Sequence, residues 1–320
     1  MNPQRLAALR LRADVYATIR SFFAARGVLE VESPILSEAG NTDPNIESFA
    51  THFSGRSDAV SNERFLRTSP EFPLKRLLAE GVGDCYELGR VFRNGECGRQ
   101  HNPEFTMLEW YRVGWDHGML ADEVGDLVTA VLARVGRTVR IERVAYRALY
   151  RAAFGFDPFT APIDSLRAPL REHRIDADGL TRDDWLDLLM THRLQPDFDP
   201  DTLLFVFDYP ATQCALARIR GSGDDAVAER FEAYLGAREL ANGYHELTDT
   251  REQRQRFELD NARRRARRLR EVPLDARLLA ALERGLPACA GVALGIERLL
   301  MALLRSDAID DVLAFGFAGA

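Results

Sequence analysis

The sequence is poor in cysteine. Its four, Cys85, Cys97, Cys214 and Cys289, are scattered over 320 residues, and none forms a C-x-x-C pair. That spacing argues against a zinc site or a disulfide framework and fits a reducing, cytoplasmic compartment. Long hydrophobic runs are also missing. No stretch of roughly 18 residues is free of charge, so no membrane span is expected. The opening MNPQRLAALRLRADVY alternates arginine with apolar residues and has no continuous apolar core of the kind a signal peptide carries. Nor is there an excess of positive charge. A net charge of −7 and a pI near 5.5 give no global basic surface for gripping a nucleic-acid backbone. The dense basic run from Asn261 to Arg270 reads as a solvated helix face. Common nucleotide signatures are absent as well. There is no G-x-x-x-x-G-K-[ST] and no G-x-G-x-x-G between strand and helix, so any ATP site must be of another type. No internal repeat, Gly/Ser linker or low-complexity tail divides the chain.

What is present reads as alternating helices and strands. Apolar residues at helical spacing run from Pro3 to Arg26 and stop at Gly27. VLEVESP alternates as a strand that Pro34 ends. A turn-rich loop, Gly40 to Asn45, leads to PEFPLKRLLAEG, a helix with Pro70 at its start and Gly81 at its end. CYELGRVFR and EFTMLEWYRV read as two strands around a polar loop from Asn94 to Pro103. Several helices are expected between Gly118 and Leu194. LLFVFDYP and Arg230 to Leu235 read as strands, a polar helix runs from about Asp249 to Arg270, and GVALG enters the helix IERLLMALL. Strand pairs joined by short loops, with helices inserted, predict a mainly antiparallel α+β domain.

Three constellations carry chemistry. In FRNGECGRQHNPEFTMLEWYR, Glu109 and Tyr111 project from one strand face together with Phe105 and Met107. An acid on an apolar face needs a partner, and a cationic ligand would supply it. An ordinary amphipathic hairpin would show the same pattern. In RFEAYLGARELANGYHELTD, Asn242, Tyr244 and Glu246 face one way in extended chain. The acids Glu232, Glu239 and Glu246 suit Mg²⁺, or are simply solvated. The dipeptide His245-Glu246 does not make H-E-x-x-H, because position 249 is Asp. In GVALGIERLL, Gly291, Ala293 and Gly295 leave one strand face nearly bare, and Gly295 opens a helix carrying Arg298. A bare face with a cation one turn into a helix suits polyphosphate. Small residues ahead of a helix also serve plain packing.

Taken in order, these segments resemble the three motifs of class II aminoacyl-tRNA synthetases. GVLEVESPIL with Pro34 is similar to motif 1, RVFRN…HNPEFTMLEWY to motif 2, and GVALGIERLL with Arg298 to motif 3. HNPEF and ELANGYHELTD are similar to the lysyl branch. The resemblance runs from about Arg10 to Phe315. The core begins almost at Met1, which leaves no room for the N-terminal OB-fold that reads the anticodon. The expectation is therefore a single class II synthetase-like catalytic domain over residues 1–320, similar to free-standing paralogues that modify translation elongation factor P. Ala293 stands where the synthetase pattern has Gly, and Ser69 of TSPE where it usually has Ala. In that family these positions retune the amino-acid pocket from an α- to a β-amino acid. The chain departs from the family's R-N-E loop. It reads Arg93-Asn94-Gly95 with Glu96 next, which puts the adenine contact in question.

The resemblance implies ATP and Mg²⁺ as cofactors and (R)-β-lysine or lysine as substrate. Arg93 would stabilise the α-phosphate and Arg298 the γ-phosphate, with Asn94, Gly95, Asn102, Glu239, Leu240 and Gly295 also at the nucleotide. Glu232 and Glu239 would hold the metal. Glu246 and Tyr111 would receive the distal ammonium, with Glu71 and Glu109 near the other, and Ser69, Asn242, Tyr244 and Ala293 would complete the pocket. The acceptor would be a lysine of elongation factor P rather than a tRNA, and motif 1 implies a homodimer. Two alternatives stand beside this: a free-standing lysyl-adenylate-forming enzyme with another acceptor, and a non-catalytic regulatory binding protein.

Overall fold

The computed structural model describes residues 3–56, 58–59 and 61–320. In chain order its main elements begin with α1 (Pro3–Ala24), β1 (Leu29–Glu30), β2 (Leu36–Ser37), β3 (Ala50–His52), β4 (Glu63–Leu66), α2 (Glu71–Ala79), β5 (Cys85–Phe92) and β6 (Glu104–Val113). Next come α3 (His117–Leu132), β7 (Arg140–Ala145), α4 (Tyr146–Phe154), α5 (Ile163–Arg167), α6 (Arg182–Leu189), β8 (Thr202–Pro210), β9 (Ile219–Arg220), β10 (Val227–Leu235) and β11 (Arg238–His245). The chain closes with α7 (Thr250–Ala266), α8 (Ala276–Gly285), β12 (Cys289–Gly295) and α9 (Ile296–Leu304). It divides into two compact units: the residues up to Trp115 together with Leu247–Ala320, and Asp116–Glu246. The architecture is α+β with mainly antiparallel strands, as the pattern of strand pairs predicts.

In the first unit, β1 lies parallel to β5, β5 antiparallel to β6, and β6 antiparallel to β12. A small side sheet pairs β2 and β3 with β4. The strand expected over VLEVESP is shorter than its alternation suggests. Only Leu29 and Glu30 join the ladder, although the Val31 N–H still reaches the Tyr86 carbonyl at 2.8 Å. Helix α1 buries Val15, Ile19 and Phe23. The Phe23 ring stacks on Tyr86 at 4.4 Å and meets Trp110 edge-on at 5.4 Å, which fixes the helix over β5 and β6. Helix α9 is anchored by Glu297, which accepts from the Thr106 N–H at 2.8 Å and from Arg12 at 2.9 Å. The Arg-rich run on α7 is solvated except for Arg264. That guanidinium is fully buried and bonds Glu47 Oε2 at 2.5 Å and the Arg270 carbonyl at 2.7 Å, so one cation of the run is structural.

In the second unit, β11 pairs antiparallel with β10 and β10 with β8, while β7 runs parallel to β8. The helices expected between Gly118 and Leu194 are there, but β7 interrupts them. Its sequence, RIERVA, is almost wholly exposed, so it carries no apolar periodicity that marks it as a strand. The core gathers Tyr146, Tyr150, Trp185, Val206, Tyr209 and Tyr234. Helix α6 starts on a capping box in which the Thr181 and Asp184 side chains bond each other's backbone N–H. Among the described residues, no helix is long and apolar enough to cross a membrane.

Candidate active site

The first unit brings Arg93 and Arg298 to one neighbourhood. Arg93 follows the end of β5, where its N–H bonds the Pro103 carbonyl at 2.8 Å and closes the base of the loop. Its guanidinium lies 5.2 Å from the Phe105 ring and 3.7 Å from the Glu96 carboxylate. Its Nε is buried and meets no hydrogen-bond acceptor among the described residues. A buried N–H without an acceptor is rare, and a ligand oxygen would satisfy it. Arg298 sits one turn into α9 and bonds His101 Nε2 at 3.1 Å. His101 is held below the ordinary histidine range by burial first, then by the positive charges of Arg298 and Arg93, against the pull of Glu96. A neutral imidazole accepts from a guanidinium, so His101 can take a hydrogen bond from Arg298, and Arg93 adds its charge from nearby.

The loop turns at a glycine. Gly95 has φ +82°, in the left-handed region, where a side chain is strained. The carboxylate of Glu96, next in the chain, faces Arg93. Asn94 is exposed, and its N–H bonds the Glu47 carbonyl at 2.8 Å. Asn102 spends its amide on the protein: Nδ2 donates to the Glu104 carbonyl at 2.6 Å, and Oδ1 accepts from the Phe317 N–H at 2.9 Å. Its place is to tie the loop to the C-terminal turn. Gly295 is the residue before α9, and a Cβ there would meet only the Arg298 side chain, at 3.8 Å.

A second cluster in the same unit is acidic. Strand register sets Glu87, Glu109 and Ala293 side by side on β5, β6 and β12. Residues directly opposite share a sheet face. The Glu109 carboxylate is 3% exposed. Its Oε2 accepts from Ser69 Oγ at 2.6 Å and its Oε1 from the Tyr111 hydroxyl at 2.8 Å. Ser69 Oγ also accepts the Glu71 N–H at 2.9 Å, so one hydroxyl starts α2 and orients Glu109. Glu71 pairs with Lys75 Nζ at 2.6 Å, and Lys75 is 1% exposed. Glu87 pairs with Arg67 at 2.6 Å and accepts from Ser33 Oγ at 2.6 Å. The field of the row is negative. The neighbouring Cys85 thiol is pushed up to about 12, by burial first and then by Asp84, Glu109 and Glu87. Such a field favours a cationic guest.

In the second unit, β10 and β11 form a hairpin. Glu232 stands opposite Asn242 and Arg230 opposite Tyr244, and a bulge at Ala233/Tyr234 sets Glu239 opposite Tyr234. Leu240 is buried, and Glu246 is 1% exposed, just past β11, where it bridges to Ala217. Glu232, expected to hold a metal with Glu239, is hydrogen-bonded within the second unit. Its Oε2 accepts from the Tyr209 hydroxyl at 2.6 Å and from the Tyr234 hydroxyl, and its Oε1 from Arg230. Among the described residues no group of three or more His, Cys, Asp or Glu side chains gathers as a metal site.

Sequence reasoning passed over Arg67, Lys75, Glu87, His101 and the trio Tyr209, Arg230 and Tyr234. Two of these had a local signal: Lys75 lies one helical turn after Glu71, and Glu87 is an acid on an otherwise apolar strand. Arg230 and Tyr234 flank Glu232 at two-residue spacing on one strand, whereas Arg67, His101 and Tyr209 acquire meaning only through the fold.

The chain matches the profile of tRNA synthetases class II (D, K and N) over residues 1–318. It is 47% identical over 320 residues to a protein of Vibrio cholerae serotype O1 named elongation factor P–(R)-β-lysine ligase, covering 99% of this chain and 97% of that one. Proteins of the same name from Klebsiella pneumoniae and Pasteurella multocida are 47% and 44% identical, over 95% and 98% of this chain and 93% and 95% of theirs. Matched over nearly its whole length, with two arginines near His101 and acids on the adjoining strands, the chain belongs to the class II tRNA synthetase family (D, K and N).

Proposed function

We propose that the chain is an ATP-dependent, AMP-forming ligase. It activates a lysine-type diamino acid, (R)-β-lysine or lysine, as the aminoacyl-adenylate and passes it to a lysine side chain of elongation factor P. The observation that carries the reading is that Arg93 and Arg298 share one neighbourhood, both acting on His101, with the buried Nε of Arg93 meeting no acceptor among the described residues. Two fixed guanidinium groups are what in-line displacement on a triphosphate needs, because catalysis there is mainly positioning and charge stabilisation.

In the first half-reaction the amino-acid carboxylate attacks the α-phosphate and pyrophosphate leaves. Arg93 stabilises the charge that develops on the α-phosphate, and Arg298 holds the γ-phosphate. The buried Nε of Arg93 supports this role. Ser69, Glu71, Glu109, Tyr111 and Ala293 line the amino-acid side of the first unit, and Asn242, Tyr244 and Glu246 are amino-acid contacts of the second. Asn94, Gly95, Glu239, Leu240 and Gly295 are proposed nucleotide contacts. ATP is the family's co-substrate. Mg²⁺ would enter with it, but no step is assigned to an ion on Glu232. In the second half-reaction a neutral lysine amine attacks the acyl carbonyl. An amide forms, AMP leaves, and the amine's proton passes to solvent.

A cytoplasmic homodimer that uses a protein rather than a tRNA as acceptor belongs to the same proposal, as does a single catalytic domain over 1–320. The test is pyrophosphate exchange with α-lysine against (R)-β-lysine, followed by the mass of purified elongation factor P after incubation. Amino-acid-dependent exchange and a one-residue mass gain are expected. Exchange without any mass gain would remove the acceptor, and no exchange with either amino acid would remove the reading.

A further inference from the structure

Strand β12 ends where helix α9 begins, and the handover leaves a gap in the sheet. The β6–β12 ladder runs from Cys289 opposite Val113 to Gly295 opposite Met107. The next rung would set Ile296 against Thr106, but by then the chain has turned into the helix. The Thr106 N–H therefore has no strand carbonyl to bond, and a buried N–H needs an acceptor. Glu297 supplies one: its Oε2 accepts from the Thr106 N–H at 2.8 Å. Its Oε1 accepts from Arg12 Nη1 at 2.9 Å. The carboxylate is 2% exposed and stands in the first turn of α9, the end of the helix dipole that favours negative charge. Gly295, the residue before the helix, has no side chain to cap it.

Arg12 extends the link. Burial opposes its charge, but Glu297 and Tyr16 hold it above its ordinary value, as a permanent cation. Its Nη1 also donates to the Tyr16 hydroxyl at 3.1 Å, and its Nη2 to the Val312 carbonyl at 2.9 Å, just past the turn Ile309–Asp311. The Ile309 N–H in turn bonds the Arg99 carbonyl at 2.8 Å, in the loop that carries His101. The bond between Glu297 and Thr106 joins the seats of the two site arginines. Arg298 follows Glu297 on α9. Phe105 precedes Thr106 on β6, and its ring lies 5.2 Å from the Arg93 guanidinium.

We propose that Glu297 is a positioning residue for nucleotide binding: by tying the start of α9 to β6, with Arg12 as its counter-charge, it fixes Arg298 relative to Arg93 and so sets where the γ-phosphate is held. This rests on the reading that Arg298 holds that phosphate. Glutamine has the reach of Glu297 but only one acceptor oxygen. Whichever way its amide turns, an N–H faces either the Thr106 N–H or the Arg12 guanidinium, so one of the two links is lost. A link that acts through the γ-phosphate matters for ATP and not for ADP, which lacks it.

The experiment compares Glu297→Gln, Arg298→Ala, the double variant Glu297→Gln/Arg298→Ala and Arg12→Lys in pyrophosphate exchange, with the ATP KM set against the inhibition constant of ADP. Glu297→Gln should raise the ATP KM by roughly tenfold, the worth of a hydrogen bond to a charged group, and leave ADP inhibition and the amino-acid KM in place. In the Arg298→Ala background the same change should add little, because Glu297 acts through Arg298. Multiplicative effects of the two substitutions would overturn the proposal, as would an equal rise for ATP and ADP in Glu297→Gln, the mark of a plain structural anchor. A raised ATP KM in Arg298→Ala beside an unchanged one in Glu297→Gln would overturn it alone. An unchanged preference for ATP over ADP in Arg298→Ala would overturn it together with the assignment of Arg298 to the γ-phosphate. Arg12→Lys keeps the test alive if Glu297→Gln does not fold. One ammonium does not span Glu297 and the Val312 carbonyl as a guanidinium does. The ATP KM should then rise about two- to tenfold with ADP inhibition unchanged, and an ATP KM that stays put would sink the proposal.

Discussion

Replacing Ser69 with alanine removes one hydroxyl and two hydrogen bonds. The first is the 2.6 Å bond to Glu109 Oε2, and the second is the 2.9 Å bond from the Glu71 N–H. Glu109 is 3% exposed, so water does not readily take the place of the lost donor. A hydrogen bond to a charged group contributes about 1.5–3 kcal/mol, and a neutral one about 0.5–1.5 kcal/mol. Together they predict a loss of roughly 2–4 kcal/mol, several degrees in melting temperature for a chain of this size. The same change releases Glu109 to swing towards the substrate's inner ammonium. The ratio of KM values for α-lysine and (R)-β-lysine should therefore move towards α-lysine by about tenfold or more. Pyrophosphate exchange reads the ratio and calorimetry reads the stability. A double-mutant cycle with Glu109→Gln isolates the shared bond. If the two substitutions add independently and the ratio stays put, Ser69 does not orient Glu109 and the account of the pocket is wrong.

Arg93→Ala should abolish amino-acid-dependent pyrophosphate exchange, and normal exchange would remove the catalytic assignment. Ala293→Gly clears the methyl directly opposite Glu109 and should shift preference towards α-lysine in the same assay; an unchanged preference would end that argument. His101 is depressed by burial and by Arg298 and Arg93. A histidine whose folded value lies below its unfolded value contributes stability above the unfolded value and loses it as pH falls through that range. Melting temperature should therefore drop more steeply between pH 7 and pH 5 in the wild type than in His101→Gln, and parallel curves would contradict the assignment. ATP should raise the His101 value in a proton NMR titration, because its phosphates oppose the push of the two arginines.

Much of the first unit was legible because its signals are local. Arg93 at the end of a strand, Glu109 and Tyr111 two residues apart on the next, and Arg298 one turn into a helix are all readable at short range. The limits came where meaning depends on pairing. Glu87 becomes the neighbour of Glu109 only through the β5–β6 register. Glu239 faces Tyr234 only because a bulge shifts β11 against β10. Glu232 in RFEAYL reads as a metal ligand or a solvated acid, yet one of the phenols bonded to it comes from β8, more than 20 residues away in sequence. The edge strand β7 went unread because exposure on most of its positions removes the alternation that marks a half-buried strand. Gly95 stands at a left-handed turn of the loop, a backbone state that favours glycine.

Lys75, closed away against Glu71, is the only lysine in a sequence that carries 41 arginines. An acyl-adenylate is a mixed anhydride, and it reacts with whatever neutral primary amine it meets. Guanidinium groups stay charged throughout the physiological range and are poor nucleophiles. A catalyst clothed in arginine offers its own high-energy intermediate almost no nucleophile, so the reactive anhydride is kept for the amine of an incoming acceptor.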